Sequence, residues 1–177
     1  MWLQETYLRA YHFAAHAHQG QIYPGTQIAY IMHLSFVSME VIAALHAEPH
    51  HDGELAVQCA LLHDVIEDTP VGYAEIAANF GAAVSDGVLA LTKDATLPAN
   101  QQMADSLRRI QTQPHAVWLV KLADRISNLQ APPAHWTPEK VLRYRDEAEM
   151  IYTALATASP FLAQRLRAKI DAYGQVA

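Results

Sequence analysis

The chain has 177 residues and a mass of 19.6 kDa, and its 51% hydrophobic share is enough to fill one sizeable core, which excludes a disordered or fibrous polymer. Twelve Lys and Arg against eighteen Asp and Glu leave a formal net charge of -6, which opposes attraction to a phosphate backbone, so no nucleic-acid partner is expected. No apolar run approaches the roughly 18 to 20 residues needed to cross a bilayer, Met1-Trp2-Leu3-Gln4-Glu5 lacks a basic-then-apolar leader pattern, and the single Cys59 cannot form an internal disulfide; a cytoplasmic protein with no membrane partner is expected.

Apolar residues recur at spacings of three and four, as in Leu8, Tyr11 and Ala15 and again in Val141, Tyr144, Ala148, Ile151 and Tyr152. The spacing predicts helices over 3–18, 34–47, 53–67, 72–80, 82–92, 100–112, 114–130, 138–156 and 159–173, an all-α fold in one compact domain over 1–177. Gly20 can end the first helix and Gly81 the fourth, while Asp52-Gly53 and Thr137-Pro138 can start two others. Between Gly20 and Tyr30, Pro24 and Gly25 mark an irregular stretch that can form a loop over a pocket, because it ends just before His33. The closing helix, Phe161 to Ile170, is basic and amphipathic and is expected to pack on the domain or on a partner. Nothing in the pattern specifies an oligomeric state.

The chemistry is concentrated in Leu61-Leu62-His63-Asp64-Val65-Ile66-Glu67-Asp68-Thr69, the end of the third predicted helix. At about 100° per residue, Glu67 lies one turn from His63 and Asp68 one turn from Asp64, so all four can face one pocket. Three acids at a helix C-terminus oppose its macrodipole, a cost that a bound cation would offset; the alternative is a solvated acidic helix end. A second segment, Lys121-Leu122-Ala123-Asp124-Arg125-Ile126-Ser127-Asn128-Leu129, reads on its own as a surface helix with Lys121 and Arg125 in exposed ion pairs with Asp124. His33 alone reads as a hydrogen-bonded core histidine. Taken together, His33, His63, Asp64 and Asp124 supply two nitrogens and two carboxylates, a mixed set suited to Mn²⁺, Fe²⁺ or Zn²⁺.

The chain holds ten histidines and only four lysines. His12 and His16 are read as surface or packing residues of the first helix, since no glutamate lies between them in the protease arrangement. His46, His50, His51, His115 and His135 fall near turns or termini and receive no role, and Cys59 reads as a buried, inert thiol.

The order His33, His63-Asp64, Asp124 resembles the HD metal-dependent phosphohydrolase superfamily, and the two long motifs resemble the hydrolase domain of the Rel/Spo proteins. A stand-alone domain of this length is similar to the small alarmone hydrolases. The likeness spans residues 5–155 and includes His18-Gln19-Gly20-Gln21, Phe80-Gly81, Leu91-Thr92-Lys93 and Trp136-Thr137-Pro138. It implies hydrolysis of the 3′-pyrophosphate of guanosine tetra- or pentaphosphate to GDP or GTP, with Mn²⁺ held by His33, His63, Asp64 and Asp124. Glu67 and Asp68 would position and deprotonate the attacking water, and Asn128 would contact the nucleotide.

The substrate fringe departs from that pattern. The basic pair usual in the loop before His33 is missing, Ala95 stands where a lysine is frequent, and Gln130 where an arginine is common. Lys93, Lys121 and Arg125 are the remaining cations for phosphate, and Tyr23 offers a purine a stacking surface without charge. Two rival readings follow: a phosphohydrolase acting on a different phosphorylated nucleotide, and a noncatalytic helical binding protein that keeps a structural metal.

Overall fold

Ten α-helices and one 3-10 turn form the regular structure of the described residues, 2–133 and 135–173 of the computed structural model. They are α1 (Gln4–Ala17), α2 (Ile31–Ala47), α3 (Gly53–Leu62), α4 (Val65–Asp68), α5 (Tyr73–Phe80), α6 (Ala82–Leu91), α7 (Ala99–Gln111), α8 (His115–Asn128), α9 (Pro138–Leu155) and α10 (Pro160–Ala172), with the 3-10 turn at Ala156–Ala158. The expected 1–177 domain also takes in Met1, Ala134 and residues 174–177, which lie outside the described residues. No helix among the described residues is long and apolar enough to cross a membrane.

The punctuation behaves as its chemistry requires. The Asp52 carboxylate accepts the Leu55 N–H at 3.1 Å and opens α3, and Thr137, ahead of Pro138, does the same for α9 through the Lys140 N–H at 3.3 Å. Gly81 closes α5 at φ 88°, a left-handed conformation that a side chain would strain. The Gly20 to Tyr30 stretch is a closed loop, tied by Tyr23 N–H to Ile28 O at 2.8 Å and Tyr30 N–H to Gln21 O at 3.0 Å. Its ends meet in an isolated Ile22–Ala29 bridge.

Two expectations need correction. The helix expected over 53–67 is interrupted after Leu62, so Glu67 and Asp68 belong to the separate single turn α4. His63 Nδ1 lies 2.9 Å from the Ala60 carbonyl, the group a continuing helix would give to the Asp64 N–H, and Asp64 turns to φ -98°, ψ -2°. The acids therefore do not close a long helix, and the macrodipole argument for a cation no longer applies.

The second correction concerns α8, which is not a surface helix. Every residue from Leu119 to Ser127 is buried, because α8 is packed by α2, α3, α9 and α10. Each of its buried Leu and Ile side chains contributes about 1.5–3 kcal/mol relative to exposure. Lys121, Asp124 and Arg125 are enclosed with them, so their charges must be matched inside the protein. The closing helix α10 packs on α8, α9 and α2, where Arg165 makes a two-pronged ion pair with Glu40.

A close approach of α6 to α3 and α8 supplies a test of this packing. A Cβ added at Gly87 would meet Cys59 Sγ at 2.8 Å and Val117 Cγ2 at 3.0 Å. Overpacking costs about 1–3 kcal/mol and outweighs the ~1 kcal/mol that Ala gains over Gly in a helix. Gly87→Ala is therefore expected to lower the urea midpoint, and to lower it less in a Cys59→Ala background, where the nearer atom is gone; equal losses in both backgrounds would contradict the contact.

Candidate metal centre

His33 stands in the first turn of α2, His63 and Asp64 at the break between α3 and α4, and Asp124 in the last two turns of α8. Three chain segments thus bring the four predicted ligands to one place. Ligand atoms of His33, His63 and Asp64 all lie within 4.8 Å of one another. Asp124 Oδ1 adjoins both imidazoles, 3.4 Å from His33 Nε2 and 3.8 Å from His63 Nε2. Asp64 Oδ2 is 3.5 Å from His33 Nε2 and 3.0 Å from His63 Nε2.

The outer nitrogens are fixed by other partners. His33 Nδ1 lies 3.3 Å from Ser127 Oγ, and His63 Nδ1 meets the Ala60 carbonyl, so both Nε2 atoms point at the carboxylates. Each carboxylate is fixed in turn. The Tyr30 hydroxyl donates to Asp64 Oδ2 at 2.6 Å, Lys121 Nζ to Asp124 Oδ2 at 3.1 Å, and Asn128 Nδ2 to Asp124 Oδ1 at 2.6 Å. His63 Nε2 is nevertheless buried without an aligned hydrogen-bond partner.

Burial opposes charge on the His33 imidazole, but the Asp124 and Asp64 carboxylates outweigh it and push its pKa up to about 9. Burial likewise opposes charge on His63, and Asp64 reverses the direction and raises its pKa. Burial would raise both acids, yet His63 and His33 hold Asp64 well below the usual carboxylate range, and Lys121 with the two imidazoles does so for Asp124. The site is built to keep two carboxylates ionised beside two nitrogens. A divalent cation fits that donor set in place of the imidazolium protons and satisfies the orphaned His63 nitrogen.

The family model described as HD domain matches residues 10–161. The chain belongs to the HD-domain family. An HD domain implies a divalent metal, in keeping with the donor set above. Among its relatives, the guanosine-3′,5′-bis(diphosphate) 3′-pyrophosphohydrolase MESH1 of Mus musculus is 30% identical over 172 residues, 94% of each chain. The guanosine-3′,5′-bis(diphosphate) 3′-pyrophosphohydrolase of Haemophilus influenzae is 36% identical over 81% of this chain, which spans only 21% of that longer protein. A solved structure titled as a metazoan ortholog of SpoT that hydrolyzes ppGpp superposes with a TM-score of 0.81 at 24% identity, covering 97% of both chains. That likeness carries the all-α HD fold.

Around these four side chains, this HD domain places two further acids, each with its own partner. Glu67 is held by Lys93, whose N–H reaches Oε2 at 2.9 Å and whose Nζ reaches Oε1 at 3.4 Å. Asp68 accepts from Gln21 Nε2 at 3.5 Å, and partial burial, with Asp64 and Glu67 nearby, raises its pKa. Tyr23 stacks on His33 with ring centroids 5.9 Å apart. Two of the cations assigned to phosphate from sequence face elsewhere: Lys121 is paired with Asp124, and Arg125 lies under the Tyr144 ring at 4.2 Å and bonds Glu147 Oε2 at 3.2 Å.

Tyr30 and Ser127 are the residues that sequence reasoning missed. Their only signal was position: Tyr30 lies three residues before His33, and Ser127 one helical turn after Asp124. Tyr30→Phe keeps the ring that stacks on His18 at 4.9 Å and removes the donor to Asp64. It is expected to weaken metal binding by about 10- to 100-fold, the usual effect of losing a partner that orients a ligand. A competitive chelator titration checks this, and unchanged affinity would reduce Tyr30 to a packing residue.

Proposed function

We propose that the chain removes the 3′-pyrophosphate of guanosine tetra- or pentaphosphate, leaving GDP or GTP. The observation that carries the reading is the convergence of two imidazole Nε2 atoms on two ionised carboxylates, with two further acids beside them, in a chain 30% identical to the mouse enzyme of that name over nearly its whole length. His33, His63, Asp64 and Asp124 are the proposed ligands, Mn²⁺ the proposed ion, with Fe²⁺ or Zn²⁺ as substitutes. When bound, such an ion lowers the pKa of water and offsets charge on phosphoryl oxygens.

The protein's own groups account for the rest. Glu67 and Asp68 position the attacking water and accept its proton. As the water oxygen joins phosphorus, the bond from phosphorus to the ribose 3′-oxygen breaks, and that oxygen leaves as a hydroxyl. Asn128, already bonded to Asp124 at 2.6 Å, borders the site and contacts the nucleotide. Lys121 and Arg125 act from behind, by balancing Asp124 and supporting Tyr144, rather than by direct phosphate contact. Lys93, exposed and paired with Glu67 at 3.4 Å, is the proposed cation for phosphate.

One observation favours a second reading, a different phosphorylated nucleotide as substrate. The loop from Gln21 to Tyr30 holds no cation, and Lys121 and Arg125 are turned to Asp124 and Glu147. Charge-assisted bonds to phosphate contribute about 1.5–3 kcal/mol each, so two missing ones weaken binding by about one to several powers of ten. A nucleotide panel with Mn²⁺ separates the readings: pyrophosphate released from the guanosine alarmone supports the first, and orthophosphate released only from other nucleotides supports the second.

Two variant sets test the assigned roles. His63→Ala and Asp124→Ala are expected to lose both metal and activity, whereas Glu67→Gln keeps its metal while turnover falls by about 10²- to 10⁴-fold, as when general-base assistance is lost. Full turnover in Glu67→Gln would remove that residue from the mechanism. Tyr23→Ala is expected to raise KM more than it lowers kcat, because a stacking surface serves ground and transition states alike. A wild-type KM in that variant would end the stacking assignment.

A further inference from the structure

α2 and α3 pack together, and the metal centre occupies the N-terminus of α2 and the C-terminus of α3. The turn joining their other ends, at residues 48–52, is removed from that centre by the length of both helices, about 15–25 Å at 1.5 Å per residue. It carries an unusual group of side chains. His51 has its side chain only 3% exposed, and its Nε2 has no hydrogen-bond partner. Glu48 Oε2, 3.8 Å away, is also buried and unpartnered, while Oε1 of the same carboxylate accepts the Phe161 N–H at 2.9 Å. The His50 ring lies 4.1 Å from the His51 ring, and His115, the first residue of α8, lies 6.4 Å from it.

We propose that this turn is a second divalent-metal site, for an ion of the Zn²⁺ class, held by Glu48 and His51 and completed by His50 and His115. A buried nitrogen and a buried carboxylate oxygen that face one another without partners lack a cation or a proton between them. Ligand bonds of about 2.0–2.2 Å allow one ion to bridge atoms up to ~4 Å apart, so Glu48 and His51 form the preset half of the site. His50 and His115 are exposed, and exposed side chains change rotamer in roughly picoseconds to nanoseconds, so both rings can turn toward the ion without disturbing the core.

Burial lowers the His51 pKa and His50 adds to the effect, against the opposing Glu48 carboxylate. A cavity of about 480 Å³, lined in part by Trp2, His46 and His51, gives access. Imidazole with one carboxylate suits Zn²⁺ better than Mg²⁺, Ca²⁺ or Mn²⁺.

Equilibrium dialysis of the metal-stripped full chain against Zn²⁺, with elemental analysis of bound metal, tests the site together with alarmone turnover. Wild type is expected to hold two equivalents. His50→Ala/His115→Ala, which alters only exposed side chains, is expected to hold one equivalent and to keep its turnover. His63→Ala is expected to hold one equivalent and to lose turnover. A single equivalent that survives His63→Ala but not the double substitution would support this site while refuting the HD-centre ligand set. Two equivalents in the double variant, or a single wild-type equivalent lost in His63→Ala, would overturn the proposal.

Discussion

Two imidazoles and two carboxylates, with Lys121 beside one of the acids, sit where α2, α8 and the α3–α4 break converge. Four ionisable groups in so small a volume are costly to bury separately, and they remain because opposite charges match and the outer atoms are bonded. Ser127 and the Ala60 carbonyl fix the imidazoles, while Tyr30, Lys121 and Asn128 fix the carboxylates. These partners come from the same elements as the ligands or from residues adjoining them, so the geometry of the centre depends on the packing of α2, α3 and α8.

The break after Leu62 is what makes the His63-Asp64 segment useful. A continuous helix would carry Asp64 around by 100° per residue with its N–H bonded to Ala60. Instead His63 takes that carbonyl through its ring, and Asp64 precedes α4 with its carboxylate making no cap bond and directed to the imidazoles. Glu67 and Asp68 then follow in α4, close enough to Asp64 for its charge to raise the Asp68 pKa. Their separate anchors, Lys93 for Glu67 and Gln21 for Asp68, explain how two adjacent acids face different neighbours.

Charge around the centre is distributed to stabilise the protein more than to attract phosphate. Lys121 sits against Asp124 and Arg125 beneath Tyr144, both buried, so neither cation offers a free face to a ligand. Buried cations of this kind keep a carboxylate ionised and an aromatic ring in place. The basic pair expected before His33 is replaced by the loop of Tyr23, Pro24 and Gly25, which brings an aromatic ring over His33 instead of a charge. The four proposed ligands thus keep the Rel/Spo pattern, while the proposed substrate contacts around them depart from it.

The sequence by itself determined the all-α fold and most helix ends, and it supplied the four residues proposed as ligands. Apolar spacing of three and four is a local property, Asp52 and Thr137 cap through bonds to N–H groups three residues away, and the two long motifs carry the ligand types in order. What only the tertiary structure decided were the properties that depend on neighbours from distant segments. The polar side of α8 read as solvated because periodicity cannot tell solvent from α2 and α10, and the break at His63 arose from a side chain competing for a backbone carbonyl. Tyr30 and Ser127 carried no chemical signal of their own, since a hydroxyl acquires a role only when folding sets it against Asp64 or His33. His51 and His115, 64 positions apart by number, came together for the same reason: helix packing, not local spacing, sets which side chains become neighbours.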